Sequence, residues 1–345
     1  MKAINFERSL TGQEPLDSLP LANIHLQPLT YNNFRIPPQQ VNPNDPTILS
    51  EYDTSVLNSY KPVPNAFNRN FYFYNKMPKC GSTTLKVLLK ELAIKNNFAQ
   101  YIVLMGQGAN KDDTEEMLVK DIYGEYTKAM DKGQSPFIAV KHETILNFTK
   151  FGKEQPTVFN IVRDPIDRFV SNYYFCRFGS ISMPNYRCRQ YPEDKRLMLV
   201  DDFFTTGHGK VGMFADTHYV TWLCGYNPLC KQSISKTDAN KPAVYSYTKN
   251  LIMNDYLVIG VLEEFKKTLS LFEYMMPEIF SGALTTVGSE KVKSAAAAMK
   301  TNKKEGLSNS TRFFLERNQF AYDMDLYSFI RAKFHKQYET FIGPN

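Results

Sequence analysis

The chain has 345 residues, with 41 Lys and Arg against 35 Asp and Glu, a formal net charge of +6. Apolar residues make up 43% and charged residues 22%, which excludes disordered, collagen-like and coiled-coil classes and fits a globular fold with a sizeable core. The excess charge is too small for a histone-like nucleic-acid binder, and it suits a protein that handles anionic substrates in a local basic cleft.

Residues 1–66 are rich in Pro, Asn and Gln, with Pro37, Pro38, Asn44, Pro46, Pro62 and Pro64 and no sustained period, so an extended arm or linker is expected there, followed by one domain over 67–345. The opening MKAINFERSLTGQEPLDSLPL lacks the apolar core of a signal peptide, and no apolar stretch is long enough to span a membrane. As it stands, the chain reads as soluble, from a protein that is either intracellular or parted from an anchor.

At Phe71 the pattern changes. The aromatic run FYFYN reads as a buried strand, KMPKCGSTT as a turn, and the following stretch, with Leu85, Leu88, Leu89 and Leu92 at helical spacing, as a helix. YIVLM (101–105) predicts a second strand and the charged segment from Lys111 to Lys132 a helix. FIAVK (137–141) predicts a third strand ending at His142. VFNIV (158–162) predicts a fourth, running into RDPIDRFVSNYYFCRFG with Pro165 suited to the first helical position. Residues 180–250 read as an irregular insertion that shapes a surface. YLVIGV (256–261) predicts a fifth strand and EEFKKTLSLFEYMM a helix ending before Pro277; a basic stretch at 291–304 precedes a final helix over about 311–340. Strands alternating with helices predict an α/β fold with a P-loop-like parallel sheet covered on both faces.

Of the five cysteines, Cys224 and Cys230 close the loop C-G-Y-N-P-L-C, whose Gly225, Asn227 and Pro228 bend the chain back and favour a disulfide. That pairing points to an oxidising compartment. Asn147 and Asn309 begin glycosylation sequons.

The most informative residues are Lys79, Cys80, Gly81, Ser82, Thr83 and Thr84, between a strand and a helix. A turn there aims backbone N–H groups and the positive helix end at one point, a ready site for phosphate or sulfate. Gly81 admits close approach, Lys79 adds a mobile cation and the hydroxyls add donors. The order differs from a Walker A loop, because the lysine precedes the glycine; a helix start with Ser and Thr as ordinary caps is the plain alternative. At the second junction Arg163 ends a strand, where open parallel sheets bind ligands. Ser171 lies less than two turns into the helix that follows, close enough to share one anion with Arg163, so the two junctions together suit a nucleotide phosphorylated at both ends.

P-K-C-G-S-T-T after a strand, then I-V-R-D-P-I-D-R-F-V-S-N-Y-Y-F about 80 residues later, resembles the cofactor segments of sulfotransferases that use 3'-phosphoadenosine 5'-phosphosulfate (PAPS). N-F-T-K-F-G, S-N-Y-Y-F-C-R-F-G, the C-G-x-x-x-x-C loop and L-V-I-G-V-L-E-E narrow the resemblance to the glycosaminoglycan uronosyl 2-O-sulfotransferase family, over roughly 70–340. The resemblance implies a sulfotransferase domain over 67–345. Lys79, Cys80, Gly81, Ser82, Thr83 and Thr84 would surround the 5'-phosphosulfate, and Arg163 and Ser171 the 3'-phosphate. Lys300, Lys303 and Lys304 would sit on a late cofactor loop.

His142 matches the family's catalytic histidine, a neutral imidazole able to take a proton from a sugar hydroxyl; where heparan sulfate members carry a second histidine two residues earlier, this chain has Val140. Lys79 would offset charge on the departing phosphate, leaving 3'-phosphoadenosine 5'-phosphate. No metal and no nucleic acid enter this account. The acceptor is expected to be an anionic polysaccharide, with Lys76, Lys141, Arg177, Arg187 and Arg189 as candidate contacts, and homo-oligomers occur in the family. The resemblance also implies a type II membrane protein of the Golgi lumen whose anchor this sequence lacks. Two rival readings use the same turn: a P-loop kinase with Asp164 as a Mg²⁺ ligand, and a non-catalytic glycan-binding protein.

Overall fold

The computed structural model describes residues 67–103, 114–185, 198–205, 218–233 and 241–343. The expected N-terminal arm lies outside them. In chain order the elements are β1 (Phe71–Asn75), α1 (Ser82–Asn96), β2 (Ala99–Ile102), α2 (Glu115–Asp131), β3 (Phe137–Lys141), β4 (Thr157–Val162), α3 (Pro165–Phe178), α4 (Val200–Thr205), α5 (Val220–Leu223), α6 (Pro228–Ser233), α7 (Lys241–Asn254), β5 (Tyr256–Val261), α8 (Phe265–Met275), α9 (Pro277–Phe280), α10 (Ala283–Thr286), α11 (Glu290–Ala298), α12 (Asn309–Arg317) and α13 (Ala321–Phe341).

The sheet has five parallel strands in the order β2-β3-β1-β4-β5. Every residue of β1, β3, β4 and β5 is buried, which is why these strands read as continuous apolar runs: helices cover both faces and leave no polar side. β2, at the edge, is half-buried throughout. Chain connections run to one side of β1 first and then to the other, so the gap beside its carboxyl end is the switch point where such sheets bind ligands. Inside the sheet, Asn75 and Asn160 are fully buried. Asn160 Nδ2 donates to the Asn75 carbonyl at 2.7 Å, and Asn75 Nδ2 donates to the Tyr256 hydroxyl at 2.9 Å. That chain of polar contacts ties β1, β4 and β5 together at the end where the functional loops leave.

The parallel α/β expectation holds, and two local expectations do not. Within 180–250, expected to be irregular, the described residues form α4, α5, α6 and α7. Aromatic bulk explains α7, whose Val244 and Tyr245 are buried and which packs on α13 and β5. The helix expected to end before Pro277 does so, at Met275; because proline at the first position of a helix loses nothing, a further short helix, α9, starts at Pro277. The single C-terminal helix is two: at Asn318 the backbone turns (φ −119°, ψ −77°), and the Asn318 side chain donates back to the Phe314 carbonyl at 2.8 Å. The break lets α12 pack on α3 while α13 runs along β5 and α8.

A candidate anion and proton-transfer site

The turn after β1 is built to receive negative charge. Gly81 is the N-cap of α1 with φ 73°, in the left-handed region, and no side chain caps the helix. The first helical bond runs from Leu85 N–H to the Gly81 carbonyl, so the amides of Ser82, Thr83 and Thr84 have no acceptor among the described residues. The plain alternative, Ser and Thr as ordinary caps, therefore fails: these residues lie inside the first turn, and their amides stay open. A Cβ on Gly81 would sit 2.7 Å from Leu262 Cδ1, so the Leu262 side chain closes the turn on that side.

Three cations converge there. Lys79 Nζ donates to Thr301 Oγ1 at 3.1 Å and lies 3.9 Å from the centre of the Phe175 ring. Arg163 Nη1 makes a long contact of 3.5 Å to the Lys79 carbonyl. Burial, together with the charges of Arg163 and Lys304, brings the Lys79 ammonium down to about 8. Lys304 is held below the usual lysine range by burial and by Arg163. Like charges this close disfavour one another, and an anion placed among them would be stabilised by all three.

Ser171, buried on α3, faces Thr301 at 3.4 Å. Thr301 thus joins the two expected subsites, Lys79 on one side and Ser171 on the other. Its segment is pinned to the end of α3 by the Ser180–Thr301 bridge and by Asn302 N–H on the Gly179 carbonyl at 3.1 Å. Of the expected late loop, Lys304 reaches the cluster, whereas Lys303 lies 5.2 Å over the Phe178 ring. Cys80 is fully buried, and burial pushes its thiol up to about 11, so it lines the turn as a neutral wall. Arg168, unremarked in the sequence, donates from Nε to the Pro78 carbonyl at 2.9 Å and hooks the turn onto α3.

His142 leaves β3 beside this turn. Its Nδ1 lies 3.0 Å from the Lys76 carbonyl. A carbonyl only accepts, so Nδ1 carries the proton of the neutral ring and Nε2 keeps the lone pair. Burial, reinforced by the Lys76 ammonium, lowers the imidazole to about 3. Lys76 is itself buried, donates to the Val103 carbonyl at 3.2 Å and is brought to about 8, chiefly by burial.

Among the expected acceptor contacts, Arg177 is a packing residue: it is buried, and its guanidinium lies 3.4 Å over the Tyr173 ring. Lys141 is buried as well. Arg187, Arg189 and Cys188 lie outside the described residues. Cys224 and Cys230 form the expected disulfide, with their Cα atoms 5.7 Å apart, and Cys176 is disulfide-bonded too.

Asp164 does not behave as a metal ligand. Its Oδ1 caps α3 by accepting from Asp167 N–H at 2.9 Å, and its Oδ2 pairs with Arg312 Nη2 at 2.9 Å.

Residues 67–237 match the model of the Sulfotransferase family. The chain is 26% identical to human uronyl 2-sulfotransferase over 76% of its own length and 62% of the relative's, so it spans less than two thirds of that protein. It is 26% identical to heparan sulfate 2-O-sulfotransferase 1 of Xenopus laevis, over 75% of this chain and 71% of the relative. The same identity holds for a heparan sulfate 2-O-sulfotransferase of Caenorhabditis elegans, over 81% and 82%. No helix among the described residues is long and apolar enough to cross a membrane.

Proposed function

We propose that this chain, whose residues 67–237 match the model of the Sulfotransferase family, is a PAPS-dependent polysaccharide 2-O-sulfotransferase that moves a sulfuryl group onto a uronic acid hydroxyl of a glycosaminoglycan or related polymer. The observation that carries this reading is the pairing of an uncapped, cation-rich helix start with an imidazole whose tautomer is set. In it, the open amides of Ser82, Thr83 and Thr84 and the Lys79 ammonium take the 5'-phosphosulfate. Arg163, Ser171 and Lys304 take the 3'-phosphate.

His142 Nε2 accepts the proton of the acceptor hydroxyl as that oxygen bonds to sulfur. The bond from sulfur to the phosphate oxygen breaks, its electron pair stays on the phosphate, and Lys79 with the helix amides stabilises the charge left there. An imidazole at about 3 is neutral and able to accept. The negative charge of donor and acceptor offsets the Lys76 field and raises its basicity towards the working pH. The disulfide supports an oxidising compartment, and together with the family resemblance it supports a parent protein of the Golgi lumen.

The test is labelled PAPS with a panel of desulfated polymers in excess EDTA, the label being located by disaccharide analysis. Transfer persists without divalent metal, where a kinase reading requires metal and ATP. His142→Ala should lose about 10²–10⁴-fold in turnover while still binding 3'-phosphoadenosine 5'-phosphate in calorimetry. Unchanged function in that variant would favour the non-catalytic glycan-binding reading instead.

A further inference from the structure

The imidazole of His142 is held at one nitrogen, by the Lys76 carbonyl. A single hydrogen bond sets which nitrogen is protonated but leaves the ring free to rock about that contact. The second restraint is aromatic. Trp222, the sole tryptophan of the chain, places its ring 6.2 Å from the imidazole, centre to centre, with the planes 70° apart. Edge-to-face contact of this kind is directional, because the positive edge of one ring meets the negative face of the other.

The mounting of Trp222 is as informative as the contact. Its backbone carbonyl accepts from Asn75 Nδ2 at 3.0 Å, and Asn75 is the residue before the Lys76 whose carbonyl holds His142. Downstream, Cys224 is buried and bonded to Cys230. Gly225, at φ 81° and against Ile145, donates from its amide to Thr144 Oγ1 at 2.8 Å. The Tyr226 hydroxyl donates to Glu143 Oε1 at 3.3 Å. Glu143 and Thr144 directly follow His142. The indole and the imidazole are therefore fastened to one frame from both sides, through the end of β1 and through the segment after β3.

We propose that Trp222 is a positioning residue for His142: with the Lys76 carbonyl it fixes the orientation of the imidazole, so that Nε2 faces the reacting hydroxyl, and it keeps water from the ring. The inference rests on the proposed function for its kinetic part only. The charged groups acting on the imidazole are Lys76 after β1, Lys86 on α1 and Arg168 on α3; Glu143 adjoins it and is engaged by Tyr226.

The experiment compares Trp222→Ala and Trp222→Phe in the full chain. For Trp222→Ala, kcat is expected to fall about 10²-fold, the scale of a small misplacement of a reacting group, with KM for donor and acceptor within about twofold. Trp222→Phe, which keeps an aromatic wall, should recover most of that loss. Opening the ring to water favours the imidazolium, so the acid limb of the Trp222→Ala rate profile moves to higher pH. Loss of packing alone would lower rates without moving the limb.

A second reading needs no turnover. In ¹⁵N-histidine NMR, assigned with His142→Gln, the wild-type ring should show protonated Nδ1 and unprotonated Nε2 at neutral pH, and in Trp222→Ala the ring-nitrogen signals should broaden and titrate at higher pH. An unchanged limb and full kcat in Trp222→Ala, or an unchanged His142 spectrum in that variant, would overturn the proposal. Because the spectrum is recorded without donor, a failure of the sulfotransferase reading is distinguishable from a failure of this one.

Discussion

The two strand-to-helix junctions that the sequence presents as repeats of one design turn out to be opposites. At α1 the helix begins with a left-handed glycine, carries no acidic residue in its first turn and has no side-chain cap. At α3 it begins with Asp164, whose carboxylate caps the Asp167 amide, and Pro165 and Asp167 complete a first turn already supplied with negative charge. Arg312 then closes that turn from outside, contacting Asp164, Asp167 and Glu316. The first junction is left unsatisfied, and under the proposed function an anion would bind there through backbone amides. The second is satisfied internally and can serve an anion only through side chains, Arg163 before it and Ser171 within it. One fold position thus supports two kinds of recognition, and the residue at the N-cap decides which.

Substitutions at the two junctions should separate accordingly. Lys79→Ala removes the cation at the open junction, and turnover is expected to drop about 10²–10³-fold, the cost of deleting one donor to developing charge; a drop below tenfold in steady-state assays would mean that the helix amides suffice alone. Gly81→Ala forces a Cβ into the left-handed region and against Leu262. Affinity for 3'-phosphoadenosine 5'-phosphate in calorimetry should fall about tenfold, and stability by about 1 kcal/mol in denaturant melts.

pH gives a gentler probe of the same junction. In the free protein Lys79 sits at about 8, below its unfolded value, so the ammonium is present at neutral pH and is lost as pH rises through 8. Affinity for the bisphosphate should decline several-fold between pH 7 and 9, with proton uptake on binding where the lysine has begun to deprotonate. Lys79→Arg, charged throughout, should flatten that decline. Asp164→Asn should have the smallest effect on binding: the cap survives, the Arg312 pair is weakened, and about 1 kcal/mol of stability goes while bisphosphate affinity stays within twofold. If Asp164→Asn weakened binding as much as Gly81→Ala, the contrast between the junctions would be wrong.

The framework was legible because parallel strands buried on both faces leave an unmistakable trace: FIAVK and YLVIGV coincide with β3 and β5 to the residue. Lys79, Gly81, Arg163 and His142 could be picked out because each lies at or shortly after a strand end, where order along the chain predicts position in space, and Ser171 because it lies less than two turns into the helix after Arg163. What escaped lies elsewhere. Arg168 sits among Ile166 and Phe169 on a buried helix, and its guanidinium serves a carbonyl 90 residues earlier; a charge on an apolar helical face was the available signal. Thr301 is one polar residue in a lysine-rich stretch, and only the pinning of that stretch to α3 gives it a partner. Trp222 could have been flagged as the lone indole two residues before a disulfide cysteine, though nothing local places it beside His142. The helices of 200–254 were missed for a related reason: the apolar residues of α7 answer to α13 and β5 and those of α4 to Phe169 and Tyr173 on α3, rather than to a regular stripe of their own.

The strand order has one more consequence. With β1 between β3 and β4, groups as distant along the chain as Lys79 and Lys304 are brought to the same edge. A fragment ending where the family match ends, at residue 237, would lack β5, the neighbour of β4, together with Thr301 and Lys304. Neither half of such a cut contains a complete set of donors, so recombining two separately produced pieces, rather than trimming to a shorter one, is the route by which this molecule could be divided and its function restored.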